Sequence, residues 1–204
     1  MKIAHRDLKP ENVLLFKQKQ DTNFTLKLCD FGLAEEATSL GFTRVCGSPS
    51  YVAPEILEFK SYGLAVDIWS MGILFYLIIC KYVPFEDTDM NRKFELIMKS
   101  RLEFPEDEWS SVSKEAKQLI GLMLEKNPRR RIKAGSVFHN KWFRGTVSIF
   151  LNCFCEREYL LHLLLCLVLC FVNALPFARI YHFYKFVSLC IRQLSRGLIG
   201  SHLF

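Results

Sequence analysis

His5-Arg6-Asp7-Leu8-Lys9-Pro10-Glu11-Asn12 is the stretch on which the reading of this chain turns. It crowds carboxylates, cations, an imidazole and an amide into one short segment that ends in a proline-started turn. Two further pieces follow in order. Asp30-Phe31-Gly32 lies eighteen residues beyond Asn12, and Ala53-Pro54-Glu55 comes after it. Around the first two pieces, Val13–Phe16 and Thr25–Leu28 are short apolar runs of β type. The polar stretch Lys17–Asn23 between them suits a hairpin loop. Such a hairpin would bring Asn12 and Asp30 side by side. Taken singly, each of these polar residues reads as a solvated loop side chain. As an ordered set they do not.

The set resembles the protein kinase family, whose catalytic loop, Asp-Phe-Gly and Ala-Pro-Glu pieces occur in this order and at these spacings. The resemblance covers about residues 1–144. It implies Mg-ATP-dependent phosphoryl transfer to a protein hydroxyl, with Asp7 as base, Lys9 as charge stabiliser, and Asn12 and Asp30 as metal ligands. The residue chemistry agrees. Phosphoryl transfer needs positioning and charge stabilisation more than covalent help. Mg²⁺ prefers hard oxygen donors such as Asn12 and Asp30, and Lys9 can neutralise a transferring phosphoryl group. The resemblance makes Lys9, Asn12 and Asp30 the residues of the ATP and Mg²⁺ site.

Lys9, two residues after Asp7, resembles the serine/threonine branch of the family. Gly47-Ser48-Pro49-Ser50-Tyr51 resembles the segment beside the acceptor, in which a hydroxyl at the Ser48 position bonds the catalytic Asp and Lys. Glu11 matches a position that often meets a substrate arginine, implying a basic recognition sequence. Val45–Glu55, Tyr62-Gly63-Leu64 and Phe104-Pro105 resemble the calcium/calmodulin-dependent group, doublecortin-like kinases in particular. His5 and Phe31 resemble a packed spine beneath the site, Glu55 and Arg131 a buried ion pair, and Asp67 a brace for the catalytic loop. Arg6 matches the arginine that usually pairs with a phosphate on the segment from Asp30 to Glu55. The usual phosphosite falls on Arg44, however, with Thr43 one step away and Thr38 and Ser39 further off.

Val66–Cys80 is too long and too apolar for a strand and predicts a buried helix ended by Pro84. Phe94, Leu96, Ile97 and Met98 predict a second helix. Ser113 predicts an N-cap, followed by Ala116, Leu119, Ile120, Met123 and Leu124 at helical spacing and closed by Asn127-Pro128. A last short helix is expected over about 135–140, with Trp142 and Phe143 as an apolar cap. The fold class is therefore mainly α: a kinase-like large (C-terminal) lobe with one β-hairpin at the catalytic loop. No Gly-rich loop, strand lysine or partner glutamate is recognisable. The small ATP-binding lobe is thus expected to be absent, the chain alone inert, and Met1 an internal methionine of a longer protein. The alternative is a non-catalytic kinase-like interaction module, tethered to a membrane where the apolar tail serves as an anchor.

Composition divides the chain near Arg144. Residues 1–144 hold 22 of the 27 basic and 19 of the 21 acidic side chains, whereas residues 145–204 hold 5 of the 8 cysteines. The net charge of +6 arises from interleaved signs, which argues against a nucleic-acid binder. Scattered cysteines and the absence of an apolar leader point to the cytoplasm. In the tail, Tyr159–Ala178 runs 20 residues without Asp, Glu, Lys or Arg, long enough to span a ~30 Å hydrocarbon core. Ile180, Phe183, Val187, Ile191, Leu194 and Leu198 fall at helical spacing among four cations, the pattern of a membrane-surface or calmodulin-binding helix. Its residues also have T-rich codons, so translation of noncoding sequence accounts for the composition first, a membrane anchor second and a calmodulin segment third.

Overall fold

The structure is a computed structural model that describes residues 2–16, 25–137 and 139–144. Its centre is the helix the apolar run predicts, and four short strands lie to one side. Strands β1 (Ile3–Ala4), β2 (Val13–Phe16), β3 (Thr25–Leu28) and β4 (Glu35–Glu36) form two antiparallel pairs. In one, Val13 faces Leu28 and Phe16 faces Thr25; in the other, Ile3 faces Glu36 and Ala4 faces Glu35. The second pair is too short to be read from sequence, because two residues carry no alternation. The loop expected over 17–23 lies outside the described residues, as does the whole tail, including 159–178. Among the described residues, no helix is long and apolar enough to cross a membrane.

Helix α1 (Pro54–Leu57) leads into α2 (Ala65–Cys80), which is buried on nearly every face. A helix that is apolar all round must be enclosed, and α2 is the axis around which the rest packs. The remaining helices are α3 (Met90–Lys99), α4 (Glu106–Trp109), α5 (Lys114–Met123), α6 (Ala134–Val137) and α7 (Lys141–Arg144). Asp89 caps α3 by accepting the Arg92 N–H at 2.9 Å, and Ser113 caps α5 by accepting that of Ala116 at 3.2 Å. α5 lies against α2 so closely that a Cβ on Gly72 would sit 2.8 Å from the Leu124 side chain. Trp142 packs on the rim of the core; the Phe143 side chain lies outside the described set.

α2 ends at Cys80, where the apolar run ends, and two later helix ends differ from the sequence expectation. The stop after α2 is made by Lys81, three residues before Pro84. Lys81 adopts a left-handed conformation (φ +68°), and its N–H returns to the Leu77 carbonyl at 2.7 Å. That stop is normally a glycine position. Lys81→Gly is therefore expected to raise the urea midpoint by the equivalent of about 0.5–1 kcal/mol, the steric relief being partly offset by glycine's freedom in the unfolded chain. α5 stops at Met123, short of Asn127-Pro128. The Ile132 N–H takes the Leu122 carbonyl at 3.2 Å, and Asn127 gathers the N–H groups of Arg129, Arg130 and Arg131 at 3.0 Å into a turn. The last expected helix is instead two single turns, α6 and α7.

Candidate active site

The site is built on the loop between β1 and β2. Asp67, buried in the first turn of α2, accepts the His5 N–H at 2.8 Å on one carboxylate oxygen and the Arg6 N–H at 2.9 Å on the other. Burial pushes its carboxyl up, against the pull of those two donors. The bonds clamp a loop that Arg6 enters with φ +66°, a conformation that strains any residue but glycine. The His5 ring bonds the Cys29 carbonyl through Nε2 at 3.0 Å, tying the loop to the end of β3.

That clamp aims three side chains at one point. The Asp7 carboxylate accepts the Ser48 backbone N–H at 2.8 Å and pairs with the Lys9 ammonium at 2.8 Å. Lys9 also donates to the Ser48 hydroxyl at 2.9 Å. Asn12 donates its amide N–H to the Asp7 carbonyl at 2.8 Å and to the Asp7 carboxylate at 3.3 Å. Burial by itself would raise the Asp7 carboxyl. The hydrogen bonds from Lys9 and Ser48, with the Lys9 charge, outweigh it and hold the group below the ordinary aspartate range. A carboxylate with a low proton affinity orients a hydroxyl well and accepts its proton only late in a reaction.

Asn12 and Asp30 come together through the β2–β3 ladder. The Cys29 N–H bonds the Asn12 carbonyl at 3.0 Å, one residue before Asp30, whose φ is +60°. One Asp30 oxygen accepts the Gly32 N–H at 3.3 Å. With its NH₂ group turned to Asp7, Asn12 has its amide oxygen left for a cation, and Asp30 is exposed beside it. These are hard oxygen donors of the type Mg²⁺ takes, so the residues present fit such an ion.

Ser48 reaches Asp7 because the chain before it turns at Gly47. There φ is +104°, and a Cβ would stand 2.6 Å from the Arg6 carbonyl oxygen. Gly47→Ala is expected to destabilise the described residues by about 1–3 kcal/mol and to displace Ser48 from Asp7; urea unfolding and the Asp7 titration followed by NMR check both effects. Further along, Ser50 donates to Glu86 at 2.9 Å, and Lys93, which bonds Glu86, also reaches Ser50 at 3.3 Å. This trio ties the segment to α3 and carries no recognisable sequence signal.

Glu55 and Arg131 form a two-pronged pair at 2.6 and 2.8 Å. Glu11 is exposed in the turn Pro10–Asn12, and Thr43 is exposed on the segment. Phe31 packs its ring 4.9 Å from that of His5 but remains 57% exposed. The expected packed spine is therefore packed on one side only, since no described residue covers the outer face of Phe31. Arg6, expected to await a phosphate, is already engaged by Glu35 at 2.6 Å. The sequence offers no sign of that partner, since Glu35-Glu36 reads as surface charge.

A buried histidine-containing loop with an Asp-Lys-Asn constellation, ahead of an Asp-Phe-Gly turn, is the arrangement of a kinase domain. The protein kinase domain family model matches residues 1–143, and the chain belongs to that family. Among curated relatives, it is 43% identical over 152 residues to the probable serine/threonine-protein kinase fhkE of Dictyostelium discoideum, covering 72% of this chain and 21% of the relative. It is 44% identical over 142 residues to human serine/threonine-protein kinase DCLK3, covering 69% of this chain and 22% of the relative. Calcium/calmodulin-dependent protein kinase type 1 of Caenorhabditis briggsae is 38% identical over 146 residues, with 72% and 40% covered. The chain thus spans about a fifth of the length of the first two relatives.

Proposed function

We propose that residues 1–144 are the large lobe of a cytoplasmic serine/threonine kinase domain of the calcium/calmodulin-dependent type, with residues 145–204 a separate region. The reaction is transfer of the γ-phosphoryl group of ATP to a protein hydroxyl. The observation that carries this reading is the convergence of Asp7, Lys9 and Ser48, with bonds of 2.8–2.9 Å around one carboxylate.

Asp7 orients the acceptor hydroxyl and takes its proton as the bond from oxygen to phosphorus forms and the bond to the departing ADP oxygen breaks. Lys9, held between Asp7 and Ser48, faces the charge on the transferring group. Ser48 keeps both in register. Asn12 and Asp30 would hold Mg²⁺, which offsets phosphate charge when bound. Exposed Glu11 favours a substrate with a basic residue near its acceptor.

The test is transfer from γ-labelled ATP to serine, threonine and tyrosine peptides, by residues 1–144 joined to a kinase small lobe. The expected outcome is labelling of serine or threonine peptides that stops when Mg²⁺ is chelated. Absence of both nucleotide binding and labelling would sink the catalytic reading in favour of an interaction module.

A further inference from the structure

We infer that Glu35 is a positioning residue: its carboxylate, delivered by β4, holds Arg6 and so orders residues 33–46 against the catalytic loop with no phosphate added. The inference rests on the kinase reading only for the name of that loop; the contacts stand by themselves. The Arg6 side chain is 3% exposed and bonds the Glu35 carboxylate at 2.6 Å. Its Nε donates to the Leu33 carbonyl at 2.7 Å, its guanidinium lies 5.1 Å from the centre of the Phe42 ring, and it reaches the Tyr62 hydroxyl at 3.5 Å. Tyr62 in turn donates to the Arg44 carbonyl at 2.5 Å and lies 3.7 Å from the Cys46 sulfur. One cation thereby gathers residues 33, 35, 42, 44 and 46.

A guanidinium this enclosed needs an anion, because an unpaired buried charge is costly. Glu35 supplies it from within the chain. It is placed by the ladder that sets it opposite Ala4, two residues before Arg6. At 48% exposure its side chain closes the rim over Arg6. The position where the family's phosphate usually falls is Arg44, which brings a second positive charge and no hydroxyl. Thr43 is exposed on that same segment. A phosphate on Thr43 would have to displace a carboxylate already seated on Arg6.

The experiment is amide hydrogen exchange by mass spectrometry on the full chain, unphosphorylated, comparing wild type with Glu35→Gln, Glu35→Asp and Glu36→Gln. Exchange needs no catalysis, so failure of the kinase reading leaves the result interpretable. Glu35→Gln should speed exchange over residues 33–46 about tenfold, the scale of a lost charged hydrogen bond. Exchange in α2 and α5 should be unchanged. Glu35→Asp, which keeps the charge, should recover most of the protection, and Glu36→Gln should match wild type. The inference is overturned if Glu35→Gln matches wild type or if Glu35→Asp matches Glu35→Gln. It is equally overturned if Glu36→Gln has the same effect, or if exchange rises uniformly across α2 and α5.

Discussion

Arg131→Ala is expected to lower the stability of the folded residues by about 3–5 kcal/mol, the cost of stranding one partner of a buried ion pair. Both prongs of the guanidinium meet Glu55, at 2.6 and 2.8 Å. The remaining N–H groups donate to the carbonyls of Ala65, Glu125 and Lys126 at 2.9, 2.8 and 3.2 Å. The cation also lies 5.2 Å from the centre of the Trp69 ring. Removing it therefore leaves Glu55 charged and enclosed and three carbonyls short of a donor. It also unlinks α1, the start of α2 and the turn after α5. Urea unfolding followed by tryptophan emission, with Trp69 as a local reporter, measures the loss. The double variant Glu55→Met with Arg131→Met should be less damaged than either single change, because an apolar pair leaves no orphan charge. A loss below about 1 kcal/mol for Arg131→Ala would show that the pair is solvated instead.

Asp7→Asn carries the largest expected effect on chemistry, a fall in phosphoryl transfer of about 10²–10⁴-fold. The amide preserves shape but cannot take the hydroxyl proton, and it presents Lys9 with a dipole in place of a charge. The acid limb of the wild-type rate should be displaced as well. The Asp7 carboxyl is held below its ordinary value despite burial, by Lys9 and Ser48. The charged form therefore persists to lower pH than in the unfolded chain. Its contribution to stability is present above the unfolded value near 3.9 and is lost as pH falls through the depressed folded value. Transfer measured between neutral and acid pH in the two-lobed protein should accordingly lose the Asp7 contribution only below the usual aspartate range. A rate that halves near pH 6 with the fold intact would assign that titration to another group.

Much of this was legible from residue order alone. The β2 and β3 runs emerge at their expected bounds, because four-residue runs of mostly apolar residues flanked by polar ones are too short for helices. The long apolar run is α2, since only a helix enclosed on nearly every face buries fourteen of its sixteen residues. Ser113 caps α5 by a bond its own side chain can reach three residues on. The order of Asp7, Asn12, Asp30 and Glu55 was enough to name the family.

What sequence could not supply are the contacts between residues far apart along the chain. The end of α5 shifted because Ile132 claims a carbonyl ten residues back, and α2 is stopped by a left-handed Lys81 before Pro84 is reached. Gly47 is one glycine among ten until the fold sets it so close to the Arg6 carbonyl that no Cβ would fit. Glu35 and Arg6 are separated by twenty-nine residues, and only the β1–β4 pairing decides that they meet. Local pattern determined which chemistry this chain can carry, because propensity and motif spacing act over a few residues. Tertiary packing decided which charges face each other, because an ion pair's partner is chosen by distance in space, and a two-residue ladder leaves no trace in the order of side chains.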